Sequence, residues 1–316
     1  MPPHGGTDCS RPVGTVAAVV QVPDAFADTT VRREGAAGRR WLDGLPELVD
    51  GLLARWDCRV DGPPRHGEVA LVVPVTCPAG PAVVKVSFPH PGNRSEPGAL
   101  RQFAGRGAVR RLDAADDAFA LLLERAGDAT LATEPCAEHA IEIAGALARR
   151  LALPAAPGTP SLADTTAGWA EQLDQQVAAS DDPPPARALD RARETIAALR
   201  GDRTTTLLHG DLHDGNVLAA DREPWLAIDP KGWRGTAAYD AFTVVAGRQD
   251  QLRPDQDLDR QLQDRVRQFA VAAGVDPELA ADCCQARATS SLLSQQAHPG
   301  DWFDMEMLRR LVLAET

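Results

Sequence analysis

The sequence predicts an α+β protein built in two lobes, a small β-sheet lobe followed by a larger helical one. Three observations carry this. A helical apolar stripe precedes two short β-branched runs. A further helix separates those runs from two more. Beyond about Gly127 the pattern is helical almost to the end, broken by one short β-rich island. A chain of 316 residues is long enough to bury a large core and to divide it around a cleft.

Residues 1 to about 20 read as an irregular tail. Trp41, Leu42, Leu45, Leu48, Val49, Leu52, Leu53 and Trp56 then recur at i, i+3 and i+4 spacing, an amphipathic helix whose stripe is core. Asp61 to Gly67 is rich in Gly and Pro and reads as a loop. Ala70 to Thr76 and Ala82 to Val86 are strand-like and joined by a turn at Pro78 to Pro81, which makes a hairpin. Ser95-Glu96-Pro97 opens a helix, since an acid and a proline both favour a first turn. Val109 to Leu112 and Phe119 to Leu123 are two further strands. Helices are expected over 137–153, 164–179 and 191–199, the β-rich island over 206–229, and helices again from about Asp255 to Leu313. The division falls near Glu124 to Asp128, with residues 1–123 in the first lobe and 124–316 in the second.

The net charge of −12 argues against a nucleic-acid partner held through phosphates, because such surfaces are basic. It suits solubility and a cationic small molecule. Cys9, Cys58, Cys77, Cys136, Cys283 and Cys284 include no C-x-x-C pair and are too sparse for a disulfide scaffold, so free thiols are expected. Met1 to Gly14 carry no signal-peptide pattern and no apolar run approaches the length of a membrane span. A cytoplasmic protein without membrane or nucleic-acid partners is the expectation; oligomeric state is not encoded in any pattern here.

The chemistry concentrates in Leu207-Leu208-His209-Gly210-Asp211-Leu212-His213-Asp214-Gly215-Asn216. An apolar strand enters a loop holding an aspartate, an asparagine follows five residues on, and a second strand, Trp225 to Ile228, delivers Asp229. Phosphoryl transfer needs a carboxylate to orient and deprotonate a hydroxyl, and oxygen ligands for magnesium. Asp211 is the candidate base; Asn216 and Asp229 are the candidate metal ligands. Lys85 stands alone in an apolar strand, where a charge needs a partner, and Glu96 at the start of the next helix is the candidate. A cation on the nucleotide phosphates held by a carboxylate is a requirement of the same chemistry.

On these residues the chain resembles the aminoglycoside phosphotransferase family, whose H-G-D-x-x-x-x-N loop stands here as His209 to Asn216. Ala227-Ile228-Asp229-Pro230-Lys231-Gly232, with Tyr239-Asp240 beyond it, looks most like the streptomycin 6-kinase and hydroxyurea kinase branch. The resemblance runs from roughly Val22 to the C-terminus. It implies a protein-kinase-like fold, ATP and magnesium as cofactors, and transfer of the γ-phosphoryl group to a hydroxyl of a small molecule such as an antibiotic. It implies a hinge at Leu121 to Ala126, with Glu124 and Ala126 contacting the adenine through backbone groups. The segment Asp61 to Gly67 departs from a phosphate-cradling glycine motif.

Other residues stay open. His209 reads as a structural histidine of the loop. His213 and Asp214 face either substrate or water, and Lys231 either meets phosphates or caps the loop. Asp301, Trp302 and Glu306 either grip a cationic substrate or end a solvated helix. Two other functions stand beside the antibiotic kinase: a metabolic or biosynthetic kinase for a sugar or alcohol, and a nucleotide-binding pseudokinase.

Overall fold

The computed structural model describes residues 20–298, 300 and 303–314. The expected tail at residues 1 to about 20 lies almost wholly outside them. The first helix, α1 (Asp24–Arg55), begins well before Trp41, and its two halves meet at a break where Gly35 takes φ 60 and ψ −132. Phe26, Leu45, Val49 and Leu52 of α1 are buried against the sheet that follows.

That sheet has the order β1 (Arg59–Val60), β3 (Ala70–Cys77), β4 (Gly80–Ser87), β6 (Ala120–Glu124), β5 (Arg111–Ala115), with β2 (Arg65–His66) also on β3. The pairings are antiparallel. The stretch expected as a loop at Asp61 to Gly67 is therefore partly strand. β1 and β2 flank Gly62-Pro63-Pro64 and run along one edge of β3. The reversal lies just beyond, where Gly67 N–H donates to Ala70 O and Phe88 N–H to Val69 O. Proline has no N–H for a ladder, which is why the edge tolerates Pro63 and Pro64 and why it reads as a turn.

Alternation along β4 assigns its two faces. Ala82, Val84 and Val86 join α1 in one core, and Val83 packs against a second core with Leu121 and Leu123 of β6. Lys85 pairs with Leu121 across the ladder and so shares this second face. Helix α2 (Glu96–Phe103) contributes Ala99, Leu100 and Phe103 to the same core, as expected from Ser95-Glu96-Pro97.

The second lobe is built from α3 (Ala137–Leu151), α4 (Leu162–Thr165), α5 (Trp169–Ala179) and α6 (Ala186–Arg200). The island follows as β7 (Leu207–Leu208), β8 (Val217–Ala219), β9 (Trp225–Ala227) and β10 (Trp233–Arg234). The chain then closes with α7 (Ala241–Ala246), α8 (Leu258–Ala273), α9 (Pro277–Ala297) and α10 (Met305–Leu313). The expected single helix over 164–179 is instead two, α4 and α5, separated by a 3₁₀ turn at Thr166–Gly168. The Cys283-Cys284 pair is buried in α9 as ordinary core. No described helix is long and apolar enough to cross a membrane.

Candidate active site

Strand β7 is buried and pairs with β10, which fixes the entry to the loop at His209. The loop is then held from behind. Asp240, fully buried ahead of α7, accepts the His209 N–H at 3.2 Å on one carboxylate oxygen and the Gly210 N–H at 2.8 Å on the other. Burial pushes the Asp240 carboxyl up to about 7. The His209 ring bridges the loop to β9: Nε2 lies 2.8 Å from Ile228 O, and the Asp211 N–H donates to Nδ1 at 3.2 Å. Both contacts are satisfied by a neutral ring protonated on Nε2, and burial lowers its pKa to about 4. His209 is thus bonded within the loop, as the sequence suggested. Gly210 turns the chain with φ +86, and a Cβ there would lie 2.9 Å from the Lys231 Cβ and 3.1 Å from the Trp233 ring.

These contacts leave the Asp211 carboxylate partly exposed, with Lys231 Nζ 3.5 Å away. Asn216 donates its Nδ2 to Asp211 O at 2.9 Å, which leaves its Oδ1 without a hydrogen-bond partner among the described residues. Its own carbonyl accepts the Ile228 N–H at 2.9 Å, so the loop is tied to the strand that delivers Asp229. Asp229 takes φ 57, a left-handed conformation uncommon for a non-glycine residue.

Lys85 reaches across from the sheet and lies 2.6 Å from Glu96 and 2.5 Å from Asp229. Burial disfavours its charge, but the two carboxylates outweigh burial and hold the Lys85 pKa above its ordinary value. Burial likewise pushes Asp229 up, and Lys85 more than reverses it, so Asp229 stays ionised. For Glu96 burial wins and its pKa is raised. The pair expected from sequence is therefore a triad, with Asp229 as its third member.

Glu124 ends β6, and its side chain is engaged within the protein. It accepts Arg222 Nε at 2.8 Å and Nη2 at 2.9 Å, and the Arg110 N–H at 2.9 Å. The Ala126 N–H donates to no group among the described residues, while the next N–H, of Gly127, is taken by Ala219 O. Arg125 pairs with Asp61 at 2.6 Å, and Arg65 with Asp128, so two ion pairs link the sheet edge to the segment after β6.

His213 points back into its own turn, accepting the Gly215 N–H at 3.1 Å. Asp214 is buried and pairs with Arg248. Glu306 is exposed and pairs with Arg310 at 2.7 Å. Asp301 and Trp302 lie outside the described residues. Sequence reasoning gave no role to Asp240, Arg222 or Arg248. Asp240 and Arg248 do bracket the apolar run Ala241 to Ala246, where a lone charge at each end is a signal for a buried partner.

A family model described as aminoglycoside/hydroxyurea antibiotic resistance kinase matches residues 55–297. A streptomycin 6-kinase of Streptomyces glaucescens is 35% identical over 278 residues, 87% of this chain and 91% of that protein. A hydroxyurea phosphotransferase of Kitasatospora aureofaciens is 38% identical over 235 residues, covering 73% of this chain and 69% of that one. Among solved structures, aminoglycoside phosphotransferase APH(3'')-Id from Streptomyces rimosus, in complex with ADP and streptomycin, superposes with a TM-score of 0.50 at 17% identity. It covers 78% of this chain and 98% of that chain.

Proposed function

The chain belongs to the aminoglycoside/hydroxyurea antibiotic resistance kinase family, and from that premise we propose that it inactivates streptomycin or a related hydroxyl-bearing antibiotic by phosphorylation from ATP. The observation that carries the reading is the convergence of Lys85, Glu96 and Asp229 in one charge triad, with Asp229 tied through Ile228 and Asn216 to the loop of Asp211.

The roles divide by chemistry. Asp211 orients the attacking hydroxyl and accepts its proton as the new O–P bond forms and the bond to the ADP leaving oxygen breaks. Lys85, kept charged by its two carboxylates, meets the nucleotide phosphates. Asn216 Oδ1 and the Asp229 carboxylate suit a hard cation, and one or two protein oxygens completed by phosphates is the usual magnesium arrangement. When bound, magnesium would neutralise charge on the phosphate oxygens. The Ala126 N–H and the Glu124 carbonyl offer a donor and an acceptor to the adenine edge. Lys231 neutralises the Asp211 surroundings and so stabilises charge developing there. Asp240 and His209 hold the loop so that little reorganisation is needed at the moment of transfer.

ATP consumption in the presence of streptomycin and of hydroxyurea, compared between the natural chain and Asp211→Ala, tests the proposal. Turnover on one of the two compounds that falls by about 10²–10⁴-fold in the variant, with ADP affinity retained, is the expected result. Turnover in Asp211→Ala close to that of the natural chain overturns it.

A further inference from the structure

A second cavity lies away from the nucleotide cleft, on the seam where α2 packs against β5 and the start of β6. It encloses about 300 Å³ and is lined by Arg94, Arg101, Arg111, Asp116 and Phe119, with Glu96 also on its wall. Lys85, Glu124, Ala126, Asp211, Asn216 and Asp229 are not part of it.

Its three arginines come together on one wall without a carboxylate held by any of them among the described residues. Arg65, Arg125 and Arg222 each hold a carboxylate. The side chains of Arg94, Arg101 and Arg111 form no ion pair and no hydrogen bond among the described residues. This occurs in a chain with 45 acidic against 33 basic residues, where a carboxylate partner is easy to supply. The Arg94 guanidinium carbon lies over the Phe119 ring, 5.4 Å from its centroid, which restrains the guanidinium while its N–H groups hold no partner among the described residues. Of the two acids on the wall, Glu96 is committed to Lys85, so Asp116 alone opposes three cations.

We propose that this cavity binds a small, multiply anionic molecule whose phosphate or carboxylate groups are gripped by Arg94, Arg101 and Arg111. Guanidinium groups match the oxygens of such groups in pairs, and three of them around one cavity favour a ligand with more than one anionic centre. The site is coupled to the catalytic groups by its position. Arg101 belongs to α2 and Arg111 to β5, so an anion bridging them fixes the helix that carries Glu96. The other side of α2 rests on the segment after Asp229: a Cβ on Gly232 would lie 2.5 Å from the Ala99 Cβ. An anion in the cavity and a nucleotide in the cleft therefore bias the same helix, and each raises or lowers the affinity of the other by the same factor.

Calorimetric titration of the full chain in excess ADP, which occupies the cleft, tests this with citrate as the carboxylate probe and pyrophosphate as the phosphate probe. The natural chain is expected to bind at least one probe saturably at one site, and the probe that binds identifies the chemistry. Arg101→Ala and Arg111→Ala each weaken that binding roughly tenfold, the loss of one charged hydrogen-bonding partner. Both variants keep measurable ADP affinity, which shows them folded. Absence of saturable binding for both probes, or equal binding by the Arg101→Ala/Arg111→Ala double variant, overturns the proposal. The readout is binding alone, so it stands apart from the phosphoryl-transfer assignment.

Discussion

Asp214 and Arg248 meet at 3.1 Å in an ion pair buried on both sides. Arg248 also donates to Leu131 O, Ala132 O and Glu134 O, so one guanidinium joins the turn ahead of α3 to the loop between Asp211 and Asn216. Removing one partner of a buried pair leaves the other charge uncompensated. Asp214→Asn is expected to lower stability by roughly 3 kcal/mol, and Arg248→Met by at least as much. In the double variant the losses combine to less than their sum, because neither charge is then orphaned. Denaturant midpoints of the three variants check this, and strictly additive losses contradict it. With Asn216 two residues beyond Asp214, Asp214→Asn should also lower kcat more than it raises the acceptor KM.

Gly210 is the point where the backbone leaves least choice. Its φ of +86 disfavours a Cβ, and the space a Cβ needs is filled by Lys231 and Trp233. Gly210→Ala is expected to cost about 1–3 kcal/mol of stability and to shift Asp211, lowering turnover far more than ADP affinity. A variant with natural turnover would mean that the loop relaxes without moving Asp211.

The side chain of Glu124 is a brace, with Arg222 as its other half. Arg222 further donates to Gly105 O at 2.7 Å and Ala108 O at 3.0 Å, so the end of β6 and the turn before β5 are tied to the β8–β9 hairpin through one residue. Glu124→Gln should lower stability by about 1–2 kcal/mol and leave ADP affinity unchanged, since its side chain is committed to Arg222 and the Arg110 N–H. A marked loss of ADP affinity in that variant would assign the side chain a direct contact.

The parts legible in the sequence share a physical cause: each breaks a local pattern. Lys85 interrupts an apolar strand, and Asp211, Asn216 and Asp229 sit at fixed spacing around two short strands. Gly35 and the polar run before it hid the first half of α1, because a helix breaker and missing periodicity left the stretch ahead of Trp41 without an assigned element. Gly62-Pro63-Pro64 hid the edge strand in the same way. Arg222, Asp240 and Arg248 were not legible for a different reason. Their partners Glu124, Gly210 and Asp214 are remote in sequence, and an isolated charge gives no sign of which distant group it meets.

His209 and Asp240 lie on one hydrogen-bond network but titrate against each other. Burial lowers His209 from 6.5 to about 4, so the folded state resists a proton that the unfolded chain accepts. Its contribution to stability is full above pH 6.5 and is lost as pH falls toward 4. Burial raises Asp240 from 3.8 to about 7, so the folded state holds a proton that the unfolded chain releases. That contribution is full below pH 3.8 and is lost as pH rises through 7. Between these limits the slopes oppose, and the natural chain should show little net dependence from these two groups. His209→Gln leaves the Asp240 slope alone, so stability relative to the natural chain should decline as pH rises from 4 to 7. Asp240→Asn leaves the His209 slope, and its relative stability should decline as pH falls from 6.5 to 4. Urea denaturation of the three proteins across that range checks both signs, and parallel pH profiles would show that neither group changes its proton affinity on folding.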